Sequence, residues 1–315
     1  MTLTLTVLTA EWNRRVDQVA AEIPGLVPVV KGNGYGLGRE WLADRASRLA
    51  PLLAVGTVHE IPSIPGSCIP VVLTPSLDDA DPTRPDAVLT IGRAEHLHVA
   101  ARQPGRPVLV KVRSSMNRYG TSPAEANTLT EEARRLGLDM RGFSIHPPRS
   151  GSSSDHAVEI ERLLDRLEPG VPVWVSHVDA TDFARLRERH PTRDWFLRLG
   201  TELWHGDKSL LHLGADVLDV RPVVAGESAG YRSEPIPHDG TLVMVGCGSA
   251  HGISPLPDGS SPFHHARHRM NLVEPPHMHT SMCLVVRGNP VPAIGETVDV
   301  QRPLITTRPD VIRWA

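Results

Sequence analysis

Between Val27 and Gly200, short apolar runs rich in β-branched residues alternate with amphipathic stretches. This alternation is typical of parallel strands joined by crossover helices, because a parallel partner requires a long connection back to the same end of the sheet. Strands are predicted at Val27–Val30, Leu52–Val55, Ile69–Leu73, Ala87–Ile91, Val108–Val112, Met140–Ile145, Val171–Val175 and Trp195–Leu199. Apolar residues at helical spacing predict helices at Arg39–Leu49, Arg93–Ala101, Pro123–Leu136, Asp155–Leu167 and Asp182–Arg189.

Eight strand and helix units predict a (β/α)8 TIM barrel over residues 8–205, although a doubly wound sheet would give much of the same pattern. After about His205, predicted strands follow one another without helices and are separated by Pro- and Gly-rich turns. We therefore expect a smaller all-β domain over residues 206–315, to which residues 1–7, with the alternating run Thr2–Val7, could add a strand. Its predicted strands include Thr241–Val245, Met282–Val286 and Glu296–Val300.

Composition excludes several classes of protein. The chain has 315 residues, 40% of them apolar, which is enough for a substantial core. The net charge is −3 and no basic block occurs, so nucleic acid is not an expected partner. Three widely spaced cysteines without a CxxC pair fit a reducing cytoplasm. No signal peptide or membrane-length apolar run is present, so a membrane is not an expected partner either.

Lys31 lies at the end of the first predicted strand, directly after Val30 and before a glycine-rich segment, Gly32–Gly36. Barrels place their chemistry at the carboxyl ends of strands. Burial lowers the pKa of a lysine, and the neutral amine forms an imine with an aldehyde. Glycines allow the backbone to approach a ligand, and the hydroxyl of Tyr35 suits a phosphate oxygen. The alternative is a surface lysine that ends a strand before a glycine turn.

Four segments occur in the order found in the alanine racemase family. The segment VVKGNGYGLG around Lys31 resembles the family's cofactor-lysine motif, and KVRSSMNRYG at Lys111–Gly120 resembles the segment that ends its fifth barrel strand. GFSIHPP, which contains His146, and FLRLGTELWHG, which contains Arg198, resemble the ends of strands six and eight. The resemblance covers most of the predicted barrel.

The resemblance implies pyridoxal 5′-phosphate (PLP) as the cofactor, bound covalently to Lys31. It implies that Tyr35 and Gly200 contact the phosphate, that Arg198 bonds the pyridine nitrogen and that His146 supports that arginine. Arg118 would bind the carboxylate of an amino-acid substrate. Because arginine stays protonated, the pyridine nitrogen would stay neutral and the ring would be a weak electron sink. The resemblance also implies a head-to-tail homodimer and leaves open whether Lys111 is modified to hold Arg118.

Several positions depart from the family. Racemases of the family carry a tyrosine as second base in a turn of the β domain, where this chain has Gly248-Ser249-Ala250-His251-Gly252. Serine is too short and too weakly acidic to replace tyrosine there. His251 is the best substitute on chemical grounds, with Cys247 and His279 as further candidates. We therefore assign Ser249 and His251 to the catalytic group together with Lys31.

Other assignments are by residue type. In SHVDA, Ser176–Ala180, where the family has an Asn-Ser-Ala run that binds phosphate, His177 and Asp179 are the corresponding polar residues, and His177 is assigned to the cofactor. Met282, at the start of a predicted strand, is assigned to substrate binding. His277 and His279 would share one face of a strand and could bind a metal, but no convincing third ligand is present and no metal is predicted.

Three functions follow from these assignments. The first is a PLP-dependent amino-acid racemase or epimerase with Lys31 as the first base. The second is a PLP enzyme that needs only one base, such as a lyase, an aldolase or a decarboxylase. The third is a PLP-binding protein without catalysis, against which the β domain argues because such relatives consist of the barrel alone.

Overall fold

The computed structural model describes residues 3–78 and 83–315. The chain divides into two compact units. The barrel unit comprises Arg15–Gly34 and Gly38–Trp204, and the β unit comprises Met1–Arg14, Tyr35–Leu37 and His205–Ala315. The assignment of residues 9–14 and 35–37 to the β unit has no counterpart in the sequence pattern. Thr2, the first residue of one predicted strand, lies outside the described residues.

The chain starts with strand β1 (Leu3–Val7) and helix α1 (Thr9–Ala21). The barrel strands that follow are β2 (Leu26–Pro28), β3 (Leu52–Val55), β4 (Ile69–Val72), β5 (Leu89–Ile91), β6 (Pro107–Lys111), β7 (Asp139–Ser144), β8 (Val173–Val175) and β9 (Trp195–Leu199). Most of their residues are buried, as expected for parallel strands covered on both faces.

The eight strands close on themselves. Parallel pairing gives the order β2, β9, β8, β7, β6 and β5, and β3 pairs separately with β4. Isolated parallel bridges between Val29 and Ala54 and between Val71 and Val88 join this pair to the other six strands. The described residues therefore form the predicted (β/α)8 barrel and not a doubly wound sheet.

Helices and short 3-10 segments connect the barrel strands. The helices are α2 (Arg39–Ser47), α3 (Ala94–Ala100), α4 (Pro123–Arg135), α5 (Ser153–Leu164), α6 (Ala180–Arg189) and α7 (Thr201–His205), and a 3-10 segment, Val58–Ser63, lies between β3 and β4. Ser122 caps α4 and Ser152 caps α5, each in a reciprocal capping box that satisfies backbone N–H groups of the first turn. These caps explain why the helices begin where they do. In the part of the chain described, no helix is long and apolar enough to span a membrane.

The β unit is built on one large, mostly antiparallel sheet. Besides β1, the strands of the β unit are β10 (Leu211–Val223), β11 (Ser228–Ala229), β12 (Glu234–Pro235), β13 (Gly240–Val245), β14 (Phe263–His265), β15 (His268–Arg269), β16 (Asn271–Leu272), β17 (Ser281–Val286), β18 (Thr297–Val300) and β19 (Val311–Trp314). Strands β11 and β12 pair with each other in a small separate sheet. The long strand β10 pairs with β13, with β18 and with the N-terminal strand β1. The predicted all-β domain is confirmed, and Leu3–Val7 is part of its sheet.

Candidate functional site

Lys31 lies just beyond the end of β2, at the carboxyl end of the barrel. The pKa of its ammonium is lowered, chiefly by burial and next by the charge of Arg118, while Glu60 acts in the opposite direction and Arg198 lowers it further. Lys31 is exposed to solvent when the whole residue is considered, so its ammonium group is only partly desolvated. A lysine with a lowered pKa and an exposed side is suited to react with a carbonyl group.

Arg198 lies inside the barrel on β9, where 5% of its surface is exposed. Nη1 donates to Ser144 Oγ at 2.9 Å, and Nη2 donates to the carbonyl oxygens of Ile145 at 2.6 Å and Trp174 at 3.2 Å. Nε donates to the carbonyl oxygen of Val175 at 3.3 Å. Burial lowers its pKa to about 10, so the guanidinium stays charged at neutral pH. A guanidinium has five N–H groups, and these four contacts leave one of them, on Nη1, for a ligand.

His146 follows β7 and is held by the next strand. Its Nδ1 lies 2.5 Å from Ser176 Oγ at the end of β8. Its pKa lies far below the usual value because of burial and then the positive charges of Arg198 and Lys111. His146 is therefore a neutral imidazole among cations.

His177 packs edge-on against His146, with ring centroids 4.8 Å apart. It has a positive φ of 62°, which is uncommon for a residue with a side chain. Its Nδ1 lies 3.1 Å from the carbonyl oxygen of Pro148, an arrangement that makes Nδ1 the donor and leaves Nε2 for another partner. Burial lowers its pKa first, and the charges of Arg198 and Lys31 act in the same direction.

Lys111 and Arg118 line one pocket in the barrel unit. Its lining residues are Lys111, Ser114, Met116, Arg118, Tyr119 and His146. Lys111 is buried, and its pKa lies well below the usual value because of burial first and then the charges of Arg198 and Arg118. The guanidinium of Arg118 is exposed and lies 4.9 Å from the ring centroid of Tyr119. The pocket therefore combines a buried lysine, whose pKa is lowered, with an accessible guanidinium that suits a carboxylate.

The loop that carries Arg118 is anchored at its start. Glu159, on α5, accepts from the backbone N–H of Ser115 at 2.5 Å and from Ser115 Oγ at 2.8 Å. Ser114 Oγ donates to the carbonyl oxygen of His146 at 2.6 Å. These contacts tie the Arg118 loop to α5 and to the residue beside β7.

The two residues assigned to the phosphate lie in different settings. Tyr35 belongs to the β unit, is 6% exposed and has a positive φ of 58°. Its carbonyl oxygen lies 2.7 Å from Nε2 of His205, and the two rings meet edge-on at 5.6 Å. Gly200 lies in the barrel unit between β9 and α7, and its carbonyl oxygen accepts from the N–H of Trp204 at 3.0 Å. Both phosphate assignments stay predictions.

In the turn assigned to the second base, both ring nitrogens of His251 have partners within the β unit. His251 is 7% exposed, its Nδ1 accepts from the N–H of Gly248 at 3.1 Å, and its Nε2 lies 3.2 Å from Asp310 Oδ1. Asp310 Oδ2 accepts from the N–H of Leu3 at 2.8 Å. Because both ring nitrogens are engaged, His251 lacks a lone pair to accept a substrate proton. In this geometry His251 links the turn to the C-terminal segment, and its catalytic assignment stays a prediction.

The remaining residues of that region also have partners. Ser249 is exposed, and its N–H donates to the carbonyl oxygen of His277 at 2.7 Å. Cys247 is fully buried, and burial raises the pKa of its thiol, which makes it unsuited to proton transfer. His279 meets the ring of His251 at 5.7 Å.

Met282 and His277 have packing roles. Met282 is 7% exposed and belongs to an apolar cluster with Leu242, Leu284, Ile236, Val223 and Ala229. Met282 is therefore placed by packing inside the β unit, and its assignment to substrate binding stays a prediction. His277 Nε2 lies 2.5 Å from Oε1 of the buried Glu274, which also accepts from the N–H groups of Tyr231 and Arg232. Within the described residues, no group of three or more His, Cys, Asp or Glu side chains could hold a metal ion.

Sequence reasoning missed four residues that hold the site: Glu60, Ser144, Glu159 and Ser176. Each of these residues contacts a site residue or the backbone next to one, and none of them belongs to a recognisable sequence motif. The only sequence signal is position, since Ser144 and Ser176 end or follow predicted strands.

Comparisons with known proteins agree with this fold. The family model described as alanine racemase, N-terminal domain, matches residues 6–206, more than half of the chain. A comparison with curated protein sequences gives no match. Among solved structures, alanine racemase from Acinetobacter baumannii is 16% identical with a TM-score of 0.70, covering 100% of this chain and 99% of that one.

Two further structures are similar over nearly the whole chain. Alanine racemase from Bartonella henselae with covalently bound pyridoxal phosphate is 18% identical with a TM-score of 0.73, covering 96% of this chain and 91% of that one. Biosynthetic alanine racemase from Pseudomonas aeruginosa is 18% identical with a TM-score of 0.72, covering 100% of this chain and 99% of that one. With the family match over residues 6–206, the chain belongs to the alanine racemase family.

Proposed function

We propose that this chain is a PLP-dependent enzyme that acts at the α-carbon of an amino acid, most simply a racemase or epimerase. The observation that carries the proposal is the cluster of Lys31, Arg118, His146 and Arg198 at the carboxyl ends of the barrel strands, where their charges act on one another. The covalently bound PLP named for the Bartonella henselae relative points to the same cofactor.

The barrel residues fit PLP. Lys31 would hold the aldehyde carbon, and the remaining N–H of Arg198 Nη1 would donate to the pyridine nitrogen. His177 Nε2 would donate to the phosphate once protonated. When bound, PLP withdraws electrons from the α-carbon of the attached amino acid. Because the pKa of Arg198 stays at about 10, it would remain a donor and would leave the pyridine nitrogen unprotonated at neutral pH.

The other roles fall to this chain's own side chains. Arg118 would bind the substrate carboxylate, since its guanidinium is exposed and opens on the pocket beside Lys111. The lowered pKa of Lys31 gives the amine a neutral form that can accept the α-proton. His146, kept neutral by surrounding cations, would add no charge to the site.

A one-base reaction is the second candidate function. The observation that favours it is the turn at residues 248–252, where Ser249 replaces the family's tyrosine and both nitrogens of His251 are engaged. A lyase, an aldolase or a decarboxylase of this family would need protonation on one face only. A catalytically silent PLP carrier fits less well, because the chain retains the β unit.

The family resemblance also leads us to propose a head-to-tail homodimer, an amino acid as the small-molecule substrate and the cytoplasm as the compartment. Three buried free thiols, Cys68, Cys247 and Cys283, suit a reducing compartment.

The test is spectroscopic. Purified chain and a Lys31→Ala variant are mixed with PLP, and absorbance spectra are recorded before and after borohydride. Peptide mass spectrometry then locates any reduced adduct. We expect a visible band in the wild type and a reduced adduct on Lys31, and neither in the variant. Absence of the band and the adduct in the wild type would refute the proposed cofactor.

Turnover is then assayed in heavy water with single enantiomers of amino acids. Exchange of the α-proton with formation of the other enantiomer identifies a racemase. Exchange with retention, or loss of a side-chain or carboxyl fragment, identifies a one-base enzyme.

A further inference from the structure

One carboxylate joins the two strand ends beside Lys31. Glu60 lies on the 3-10 segment after β3, and its Oε1 accepts from the N–H of Gly32 at 2.9 Å. Its Oε2 accepts from the N–H of Gly56 at 2.6 Å. Gly32 directly follows Lys31, and Gly56 directly follows β3. With its two oxygens, Glu60 therefore joins the backbone directly after Lys31 to the backbone directly after β3.

Gly56 allows the carboxylate and the lysine stem to meet. A Cβ atom added at this glycine would lie 3.1 Å from Glu60 Oε2 and 3.4 Å from Lys31 Cβ. The side chain of Glu60 is 14% exposed. The carboxylate is thus close to the lysine and mostly buried, although its hydrogen bond to Gly32 is exposed.

A second side chain holds the same peptide from the other side. Arg39 Nη1 donates to the carbonyl oxygen of Gly32 at 2.9 Å and lies 3.5 Å from Glu60 Oε1. Arg39 Nε donates to Ser63 Oγ at 3.0 Å, and Ser63 Oγ donates to the carbonyl oxygen of Glu60 at 2.6 Å. Both polar groups of Gly32 are held, which fixes the backbone directly after Lys31.

In the part of the chain that the structure describes, Glu60 is also the only anion among the charged groups that act on Lys31. Arg118 and Arg198 lower the pKa of the lysine, as burial does, whereas Glu60 raises it. Removing the carboxylate would therefore shift the amine further towards its neutral form at a given pH.

We propose that Glu60 is a positioning residue of the Lys31 site, whose carboxylate joins the backbone directly after Lys31 to the backbone directly after β3 and balances the cations around the lysine amine. Its relevance to catalysis rests on the proposed function of Lys31, but its effect on the lysine does not require the cofactor.

Lysine occurs only at positions 31, 111 and 208, which makes the test direct. The full chain without added cofactor is labelled with ¹³Cε-lysine, and the Lys31 signal is assigned with a Lys31→Arg variant. Its chemical shift is followed against pH in the wild type, Glu60→Gln, Glu60→Asp and Glu60→Ala. Exposed Glu40→Gln, on α2, is the matched control.

The expected result has two parts. The midpoint of the Lys31 titration curve moves to lower pH in Glu60→Gln and Glu60→Ala. It moves less in Glu60→Asp, and it stays unchanged in Glu40→Gln. Amide hydrogen exchange at Gly56 or Gly32 becomes faster in Glu60→Gln, because an amide side chain has one oxygen for two N–H donors. If Glu60→Ala fails to fold, the Gln and Asp variants decide the outcome.

An unchanged Lys31 midpoint in folded Glu60→Gln would overturn the proposal, as would unchanged exchange at both glycines. PLP and borohydride added to the wild type separate the two hypotheses. No adduct in the wild type, together with a shifted midpoint in Glu60→Gln, refutes the cofactor and leaves the role of Glu60 intact.

Discussion

Nη2 of Arg198 donates to the carbonyl oxygen of Ile145 at 2.6 Å, which joins β9 to the residue after β7 across the barrel interior. The same guanidinium also reaches the carbonyl oxygens of Trp174 and Val175 on β8. Arg198 therefore holds three strands together at the end of the barrel where Lys31 lies.

Arg198→Ala is expected to destabilise the fold, because buried carbonyl groups would lose their donors. Loss of a charged hydrogen-bond donor from a buried network costs about 2–4 kcal/mol. The free energy of unfolding, measured by urea denaturation without cofactor, checks this value. Arg185→Ala, which removes an exposed guanidinium on α6, is the control and should cost well under that amount. Equal stability of the two variants would contradict the role of Arg198.

Glu159→Ala should loosen the loop that presents Arg118. The change removes both contacts to Ser115, so the guanidinium would no longer be held before substrate arrives. A loss of about 1–1.5 kcal/mol corresponds to a five- to tenfold rise in KM for the amino acid. The PLP absorbance spectrum should stay unchanged.

Ser115→Ala, which keeps the backbone N–H contact, should have a smaller effect on KM than Glu159→Ala. A fall in kcat with an unchanged KM would show that Glu159 acts on the chemical step and not on binding.

Lys111→Met should make the fold more stable at neutral pH. Because the pKa of Lys111 is lowered in the folded chain, the unfolded chain binds more protons between that value and the ordinary pKa near 10.5. The free energy of unfolding of the wild type therefore rises with pH through this window. Below the window, burial of the charged Lys111 side chain destabilises the folded wild type. The advantage of Lys111→Met should shrink as pH approaches 10.5.

Urea denaturation at several pH values in buffer free of carbon dioxide measures this difference, with exposed Lys208→Met as the control. An advantage of Lys111→Met that grows with pH would have the wrong sign and would contradict a lowered pKa of Lys111 in the folded chain.

His251→Ala and Asp310→Asn should each weaken the link between the turn at residues 248–252 and the C-terminal segment. Each is expected to cost about 1–2 kcal/mol of unfolding free energy, and the double variant should cost less than the sum. Turnover per folded molecule should persist in His251→Ala. Complete loss of racemisation in a folded His251→Ala protein would restore this residue as the second base.

Ser249→Tyr should raise racemisation if the family's proton donor works from this turn. Ser249 is exposed, so a larger side chain meets no buried neighbours at its own position. General acid and base catalysis contributes about 10²-fold or more. Enantiomer formation measured by chiral chromatography checks this, and an unchanged rate would show that this turn does not supply the second base.

Much of the barrel could be predicted from the sequence. The runs Leu52–Val55 and Trp195–Leu199 match strands β3 and β9 residue for residue, because buried parallel strands are mostly apolar runs and each of these two is followed by a glycine. The strand β10, Leu211–Val223, was not predicted. It contains Gly214, Asp216 and Pro222, and its pairing with β13 shifts register between Val217 and Asp219, which breaks the alternation that marks an antiparallel strand.

The site could be predicted only where a motif marks it. Lys31, Arg118, His146 and Arg198 stand in segments that resemble the family. Glu60 contacts backbone N–H groups from two different strand ends, and one of these groups is 28 residues away in sequence. His251 could not be recognised as structural, because its partner Asp310 is 59 residues away.

The ring of barrel strands has two junctions, or seams, at which few backbone hydrogen bonds join neighbouring strands. The pair β3 and β4 joins the other strands through single bridges, and one of these, between Val29 and Ala54, lies next to Lys31. Beyond this bridge the N–H of Val30 still reaches the carbonyl oxygen of Ala54 at 2.8 Å, and then the side chain of Glu60 continues the connection where the backbone ladder ends. Because so few backbone hydrogen bonds cross this seam, we expect local opening of the barrel to begin here, and amide hydrogen exchange at Ala54 and Gly56 would report it.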